Sequence, residues 1–383
     1  MALQANVHLF ALLWSFLWMA VPCAAEAESS LTVLDYDLLV SGHDYSVEVA
    51  RAYSHDGLGI LAVTGAPNQT VDEPRLRLLH LARKLALSPP AELAKYERPE
   101  LAYASGWSRG REVFKGKPDL TKGSWYAHAL EDTPAVGDAA AHRFPLITAP
   151  NVWPSALVGE EFEASFKALS RALYELAGHV LRNADLAIGA GGVLRRTTHE
   201  RSRLHVGRLL HYYAPAEGEA AGEEGGEGQW CGWHNDNSVI TVLPPALWLR
   251  EATGEPVDAC EAGGLVVRTR KGRKVEVRPP QGAVLLQLGE AAQILSSGAL
   301  MATPHAVLKG SSSLSREAFA LFVEPHWDEQ IGTADSLRAL HEADAANGDV
   351  IPPLSRRLRK LPVEFGQFLA DSFAEYYASS QRG

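Results

Sequence analysis

The sequence has no internal repeat, and basic residues are fewer than acidic ones. Its 36 Lys and Arg residues are outnumbered by 46 Asp and Glu residues, which gives a formal net charge of −10 at pH 7. This balance argues against nucleic acid as a partner, because phosphates attract basic surfaces. The chain does have length and apolar content: 383 residues that are 46% hydrophobic can bury a large core in one or two domains.

Long hydrophobic runs are scarce, and the one candidate lies at the N-terminus. Residues 8–21 are apolar and small residues follow at positions 24–27, whereas a membrane-spanning helix needs about 20 apolar residues. The pattern predicts a secretory signal peptide over residues 1–27, and hence the ER lumen or secretion. No Lys or Arg precedes Arg51, so an uncleaved membrane anchor and an organelle-targeting segment stay open as alternatives.

Cysteine is scarce as well. The chain contains 3, and cleavage of a signal peptide would remove Cys23 and leave Cys231 and Cys260. These two residues can form a disulfide in an oxidising lumen, and two separate thiols are an equally good interpretation.

Against this background, a set of metal-ligating residues stands out. His234-Asn235-Asp236 is followed by a second histidine, His305, and then by Arg316. On a strand, residues two apart point to the same face, so His234 and Asp236 can chelate one ion. Two imidazoles and one carboxylate leave coordination positions open, which is typical of non-haem Fe(II) that binds O2. The arginine can hold an acidic co-substrate by two parallel hydrogen bonds.

A second His-x-Asp pair, His326 and Asp328, has the same spacing. It is followed by His341 alone, in a stretch with helical character, and no strand that carries an arginine comes after it. The context therefore favours the first pair.

Short β-branched or alternating runs separated by Gly and Pro surround the first pair. They lie at residues 238–243, 263–267, 274–277, 283–288, 301–308 and 316–323. This regular spacing favours a β-sandwich or barrel. Outside these runs, an apolar stripe with helical period over residues 162–180 predicts a long supporting helix. Residues 73–87 and 364–378 are also helical in character, residues 115–128 read as loop-rich, and residues 217–228 form an acidic stretch typical of a surface loop.

These motifs together resemble the 2-oxoglutarate/Fe(II)-dependent dioxygenase superfamily, in the branch that includes isopenicillin N synthase. The resemblance is carried by the stretch from Gly282 to Glu290, by Leu295-Ser-Ser-Gly298, by His305-Ala-Val and by residues 316–325. It implies a mainly β fold with flanking helices. A double-stranded β-helix (jelly-roll) core would span residues 201–326, after an N-terminal region with helices at 31–200 and before a C-terminal helical segment at 327–383.

The resemblance also implies roles for particular residues. His234, Asp236 and His305 would be the iron ligands, while Arg316 and Tyr213 would bind 2-oxoglutarate. A core aromatic with a satisfied hydroxyl is the alternative for Tyr213. The implied activity couples oxidative decarboxylation of 2-oxoglutarate to hydroxylation or desaturation of a small organic substrate, with Fe(II), O2 and ascorbate as reductant. Two alternatives stay open: an iron oxidase that uses no 2-oxoglutarate, and a metal-binding barrel without catalysis.

Three departures from the family pattern affect this interpretation. Ala318 stands where the branch usually has a serine that shares the co-substrate carboxylate, so a hydrogen bond worth about 0.5–1.5 kcal/mol is lost. Residues 244–261 form an insertion that we expect to serve as a lid or as part of the substrate pocket. His211 replaces an asparagine often found beside the tyrosines, and its role stays open.

Overall fold

A computed structural model describes residues 30–382 except 112, 115–116, 135–141, 190, 216–227, 259–262, 311–312 and 346–350. The predicted signal peptide, Cys260 and most of the acidic stretch lie outside the described residues. Within the described ranges, no helix combines the length and the apolar character needed to cross a membrane.

The described strands are β1 Thr32–Asp35, β2 Ile60–Thr64, β3 Gly106–Arg109, β4 Val113–Phe114, β5 Lys117–Pro118, β6 Lys122–His128, β7 Val206–Tyr212, β8 Gln229–His234, β9 Ile240–Leu243, β10 Leu247–Arg250, β11 Pro256–Val257, β12 Gly264–Arg268, β13 Lys274–Glu276, β14 Val284–Leu288, β15 His305–Leu308, β16 Leu314–Val323, β17 Gln330–Ile331 and β18 Val363–Glu364. The described helices are α1 Tyr36–Val40, α2 Ser46–Tyr53, α3 Glu73–Ala86, α4 Pro90–Leu93, α5 Pro145–Thr148, α6 Ser155–Val158, α7 Glu161–Ile188, α8 Val193–Arg195, α9 Glu290–Leu295, α10 Leu337–Ala345, α11 Leu354–Arg357 and α12 Phe365–Arg382.

Two sheets build the jelly-roll core, as predicted. The large sheet has the strand order β1-β2-β14-β9-β16-β7-β6-β3, with β10 and β11 attached through β16, and the small sheet has the order β13-β12-β15-β8. Strands β9 and β14 lie in the middle of the large sheet, and every residue of β14 is buried. Their mainly apolar sequences fit strands that are covered on both faces.

Helix α7 packs against the large sheet and confirms the predicted supporting helix. Its apolar stripe is buried, and the Phe166 ring meets Phe319 of β16 edge-on at 5.1 Å between centroids. Gly207 on β7 makes this close approach possible, because a Cβ atom at that position would lie 2.5 Å from the Phe166 ring. The helix ends at Gly189, whose backbone has the left-handed conformation that favours glycine.

The N-terminal region contributes strands to the same sheet as the core. Strand β2 pairs with β14 in antiparallel register, for example Leu61 opposite Leu286, and β1 pairs with β2 in parallel. Contacts group residues Leu31–Gly383 into one unit. The N-terminal strands thus extend the sheet that carries the core.

Two expectations about local structure are wrong. Residues 115–128 are not mainly loop, since β6 pairs along its whole length with β7 and buries Trp125 completely. The insertion after residue 243 is not a separate lid either: its residues Leu247–Arg250 form β10, which pairs with β16. Leu247 and Leu249 are buried while Trp248 is partly exposed, and this period of two is the signature of a strand.

Candidate active site

Three predicted ligands meet where the two strands β8 and β15 of the small sheet lie side by side. His234 ends β8 and lies opposite His305, which begins β15. Asp236 follows two residues after His234. Its Oδ1 atom lies 3.8 Å from His234 Nε2, and its Oδ2 atom lies 3.9 Å from His305 Nε2. One donor atom from each of the three residues lies within 4.8 Å of the others, a group size that fits one metal ion.

His234 is the most exposed of the three predicted ligands. The His234 side chain is 28% exposed, whereas the side chains of Asp236 and His305 are each 7% exposed. A metal held here would therefore be reached from the His234 side, and the protein would cover the rest.

Hydrogen bonds at the remote ring nitrogens orient both imidazoles. His234 Nδ1 lies 2.8 Å from the Gly232 carbonyl oxygen, to which it can donate, so Nε2 is left for a metal. His305 Nδ1 lies 2.6 Å from the side-chain amide of Gln287, which is fully buried. When Nδ1 of His305 carries the proton, the Gln287 amide must present its oxygen, an atom with no other partner among the described residues. The sequence did not indicate this role for Gln287, although the residue lies within the family-like stretch from Gly282 to Glu290.

The two histidines have opposite pKa shifts. Burial and, to a smaller extent, the neighbouring His234 together lower the pKa of His305 to about 4. Burial also acts to lower the pKa of His234, but the Cys231 sulfur and the Asp236 carboxylate outweigh it and raise that pKa to about 9. A metal ion must displace a proton from His234, so protons and metal compete for the site.

Arg316 lies on β16 of the opposite sheet, between two aromatic rings. Its guanidinium carbon is 5.2 Å from the ring centroid of Tyr212 and 5.8 Å from that of Trp248. Tyr212 lies opposite Arg316 on the neighbouring strand β7, and Trp248 lies opposite it on the other neighbour, β10. Burial lowers the pKa of Arg316, and it raises the pKa of Tyr212 to about 12. Trp248 comes from the insertion, so the insertion contributes one of the two aromatic rings beside Arg316.

An apolar cluster fills the barrel interior next to Arg316. Its buried members come from both sheets: Leu210, Tyr212, Trp230, Val307 and Ala318. Ala318 therefore faces the interior, on the same side of β16 as Arg316, and offers no hydrogen-bond donor there. Ser315 does not replace the missing hydroxyl, since its Oγ lies 3.4 Å from Glu317 on the other face.

The structure contradicts the prediction that Tyr213 lies beside Arg316. Tyr213 donates its hydroxyl to the carbonyl of Ala86 in α3 at 3.1 Å, outside the barrel interior. The residue opposite Arg316 is Tyr212. The error has a simple cause, because neighbouring residues of a strand point to opposite faces and a shift of one residue exchanges them.

His211 shares the outer face with Tyr213. Its Nδ1 lies 2.8 Å from a Glu317 carboxylate oxygen, both side chains are buried, and its ring meets Tyr213 edge-on at 4.4 Å. His211 is thus a paired core residue between the sheet and α3.

The second His-x-Asp pair lies apart from any third ligand. His326 Nδ1 and Asp328 Oδ1 are 2.6 Å apart and bind each other, while His341 Nε2 lies 2.8 Å from the Leu358 carbonyl. Among the described residues, the group of His234, Asp236 and His305 is the one that could hold a metal. Cys231 lies beside it, with its Sγ 3.8 Å from His234 Nδ1; its proposed partner Cys260 is outside the described residues.

Curated relatives share part of this chain. Homoarginine-6-hydroxylase 2-ODD-233 of Oryza sativa subsp. japonica is 24% identical over 240 residues, which cover 63% of this chain and 66% of that protein. Feruloyl CoA ortho-hydroxylase 2 of Arabidopsis thaliana is 34% identical over 102 residues, which cover 26% of this chain and 24% of that protein. The chain thus spans about two thirds or less of these relatives. No family model matches it.

Solved structures share its fold. A protein from Caulobacter crescentus described as of the 2OG-Fe(II) oxygenase family superposes with a TM-score of 0.64 at 21% identity, over 91% of this chain and 99% of that one. A full-length protein from Neurospora crassa, solved in complex with alpha-KG and 5-formyluracil, has a TM-score of 0.62 at 16% identity, over 94% and 98%. The solved structures confirm the predicted fold, and the curated relatives agree with the resemblance that the motifs carry.

Proposed function

We propose that this chain is an oxygenase of the 2-oxoglutarate/Fe(II)-dependent superfamily that couples decarboxylation of 2-oxoglutarate to hydroxylation or desaturation of a small organic substrate. One observation carries the proposal: two imidazoles and a carboxylate converge within 4.8 Å in a barrel whose facing sheet bears a partly buried arginine. The first group suits Fe(II) and the second suits a dicarboxylate. The hydroxylases among the relatives support the same reaction class.

The residues of the site would bind the metal, bind the co-substrate and exclude water. His234, Asp236 and His305 would hold Fe(II), and Arg316 would pair with the far carboxylate of 2-oxoglutarate. When bound, iron and 2-oxoglutarate together would reduce O2, leaving succinate, CO2 and an oxidised substrate. Tyr212, Trp230 and Trp248 would exclude water from the co-substrate.

A second candidate function is an iron oxidase that uses no 2-oxoglutarate. Ala318 favours it, because the interior face beside Arg316 lacks the hydroxyl that the branch usually provides. Arg316 opposes it, since an anionic partner offsets the desolvation of a partly buried cation. We therefore rank it second.

The first experiment measures succinate released from 2-oxoglutarate by the purified protein with Fe(II), ascorbate and air. We expect slow succinate release in the wild type and none in His234→Ala, because a site with two of its three ligands binds iron poorly. His326→Ala is the matched control, since it removes a histidine of identical spacing away from the site, and it should keep wild-type release. Bound iron with O2 uptake but no succinate would favour the second candidate instead.

The compartment and the substrate are proposals of a different kind. We propose secretion or residence in the ER lumen from the apolar segment at residues 8–21 alone. N-terminal sequencing of the mature protein tests it, because cleavage near residue 27 is the expected result. The choice of a small molecule as substrate is supported by the solved relative bound to 5-formyluracil.

A further inference from the structure

We propose that Glu290 and Arg357 are positioning residues for the metal ligands and act through Asn235. The C-terminal segment, for which the sequence indicated no role, would then contribute to metal affinity. This inference rests on the proposed function, because it assumes that His234 and Asp236 bind the metal.

Asn235 links the two ligands to the protein interior. It is the residue between His234 and Asp236, and it is 4% exposed. Its Nδ2 donates to Glu290 Oε1 at 3.0 Å. The residue between the ligands is therefore fixed by a hydrogen bond to a charged acceptor, which is stronger than a bond between neutral groups.

Glu290 holds the same loop a second time through its backbone. Its N–H donates to the Asp236 carbonyl at 2.8 Å. Glu290 begins α9, so this N–H is one that the helix itself cannot satisfy. The next residue continues the contact, because Ala291 N–H donates to the Ser238 carbonyl at 3.2 Å. The start of α9 is thus attached to the loop that carries Asp236.

Arg357 pairs with the Glu290 carboxylate in the protein interior. Both side chains are fully buried. Arg357 Nη2 donates to Glu290 Oε1 at 2.8 Å and Nη1 donates to Oε2. Arg357 is itself held by the Pro352 carbonyl at 2.9 Å and by Ser372 of α12 at 3.3 Å. A buried carboxylate that loses its cation is strongly destabilised or takes up a proton, so the support given to Asn235 depends on the C-terminal segment.

The test is an anaerobic titration of the full-length protein with Co(II), whose visible absorption band reports the ligand geometry. We expect Asn235→Ala and Arg357→Met each to raise the Co(II) Kd by about 10- to 100-fold, the usual effect of losing a partner of a metal ligand, and to alter the band. The double variant Glu290→Gln/Arg357→Met should recover part of the affinity lost in Arg357→Met, because the glutamine oxygen still accepts from Asn235 and no lone charge is buried. If Arg357→Met does not fold, the Co(II) affinity of Asn235→Ala alone tests the inference.

Asp185→Asn is the matched control. Asp185 is a buried carboxylate of α7 that accepts the backbone N–H groups of Leu194 and Arg195 at 2.9 and 3.0 Å. The Asp185→Asn substitution should lower the midpoint of urea unfolding. It should leave the Co(II) affinity and the visible absorption band of bound Co(II) unchanged. Wild-type affinity in Asn235→Ala would overturn the inference, and so would an equal loss of affinity in Asp185→Asn. A wild-type protein that binds no Co(II) would overturn the proposed function, and this inference with it.

Discussion

At the scale of single residues, the interior face of β16 determines how a co-substrate would be held. Arg316 and Ala318 lie two residues apart on that face, and Ala318 packs among Leu210, Tyr212 and Trp230. A small apolar residue leaves space there but gives no hydrogen bond. The affinity for 2-oxoglutarate should therefore respond to a single added hydroxyl.

Ala318→Ser should tighten 2-oxoglutarate binding by roughly 2- to 12-fold, which corresponds to one hydrogen bond of about 0.5–1.5 kcal/mol. Isothermal titration with Mn(II) in place of Fe(II) measures it. Ala320→Ser is the control, because Ala320 is buried on the same face two residues further on and should leave the Kd unchanged. A weaker or unchanged Kd in Ala318→Ser would place the carboxylate elsewhere.

The two adjacent tyrosines provide a second prediction. Tyr212→Phe removes a hydroxyl beside Arg316 and should weaken 2-oxoglutarate binding several-fold, whereas Tyr213→Phe removes the bond to Ala86 and should affect stability alone. The same titration, together with urea unfolding of both variants, separates the two effects. The reverse pattern would restore Tyr213 as the co-substrate residue.

The limits of the sequence are also visible at this scale. The grouping of His234, Asp236 and His305 follows from a short motif on strands and could be predicted. The choice between Tyr212 and Tyr213 could not, because the facing of β7 depends on its register with β16, more than 100 residues away. Likewise, nothing local indicates that Asn235, Glu290 and Arg357 meet.

At the scale of elements, α7 packs closely on the large sheet at Gly207. Gly207→Ala would place a methyl group 2.5 Å from the Phe166 ring, and such overpacking costs typically about 1–3 kcal/mol. Urea unfolding should show this loss. Gly207→Ala/Phe166→Leu should be more stable than the sum of its single variants, since the smaller side chain leaves space.

Phe162→Leu is the control for that double-mutant cycle. Phe162 stacks on Phe166 at 6.3 Å between centroids and is absent from the atoms nearest to Gly207. Gly207→Ala/Phe162→Leu should therefore be close to additive. Strong coupling there as well would mean that the whole helix shifts, and the tight contact would not be local.

Elements with both faces buried were the most predictable from the sequence. The runs at 283–288 and 316–323 correspond to β14 and β16, and the apolar stripe at 162–180 lies within α7. The sequence pattern did not predict strand β10, because its four residues, which alternate between buried and exposed, are surrounded by prolines and charged residues. Its pairing with β16, a non-local contact, decides its structure.

At the scale of the whole molecule, a buried histidine should limit stability in acid. Burial lowers the pKa of His205 to about 3, and its Nδ1 accepts the Glu324 N–H at 3.1 Å. The unfolded chain takes up a proton near pH 6.5 and the folded chain does not, so the stability present above pH 6.5 is lost as the pH falls towards 3. The loss is roughly 1.4 kcal/mol for each pH unit in that window.

His205→Asn should reduce this acid sensitivity, because an amide oxygen can accept the same N–H and does not titrate. The measurement is the urea midpoint of both proteins between pH 4 and 8. Burial also raises the pKa of Glu324 to about 8, which favours the folded state in acid, so the difference between the two proteins is the quantity to compare. Parallel curves would exclude His205 as the cause.

The order of strands in the large sheet also has a consequence for synthesis of the chain. Strand β14 pairs with both β2 and β9, and β16 pairs with both β9 and β7. Residues near 60 can therefore pair only after residues near 285 have been synthesised. The two parts of the sheet on either side of β16 can join only after residues near 320 have been synthesised. Pairing over such sequence distances is slow. A ribosome must therefore synthesise the chain to about residue 320 before the large sheet can close, and until then the strands that pair with β14 and β16 lack their partners.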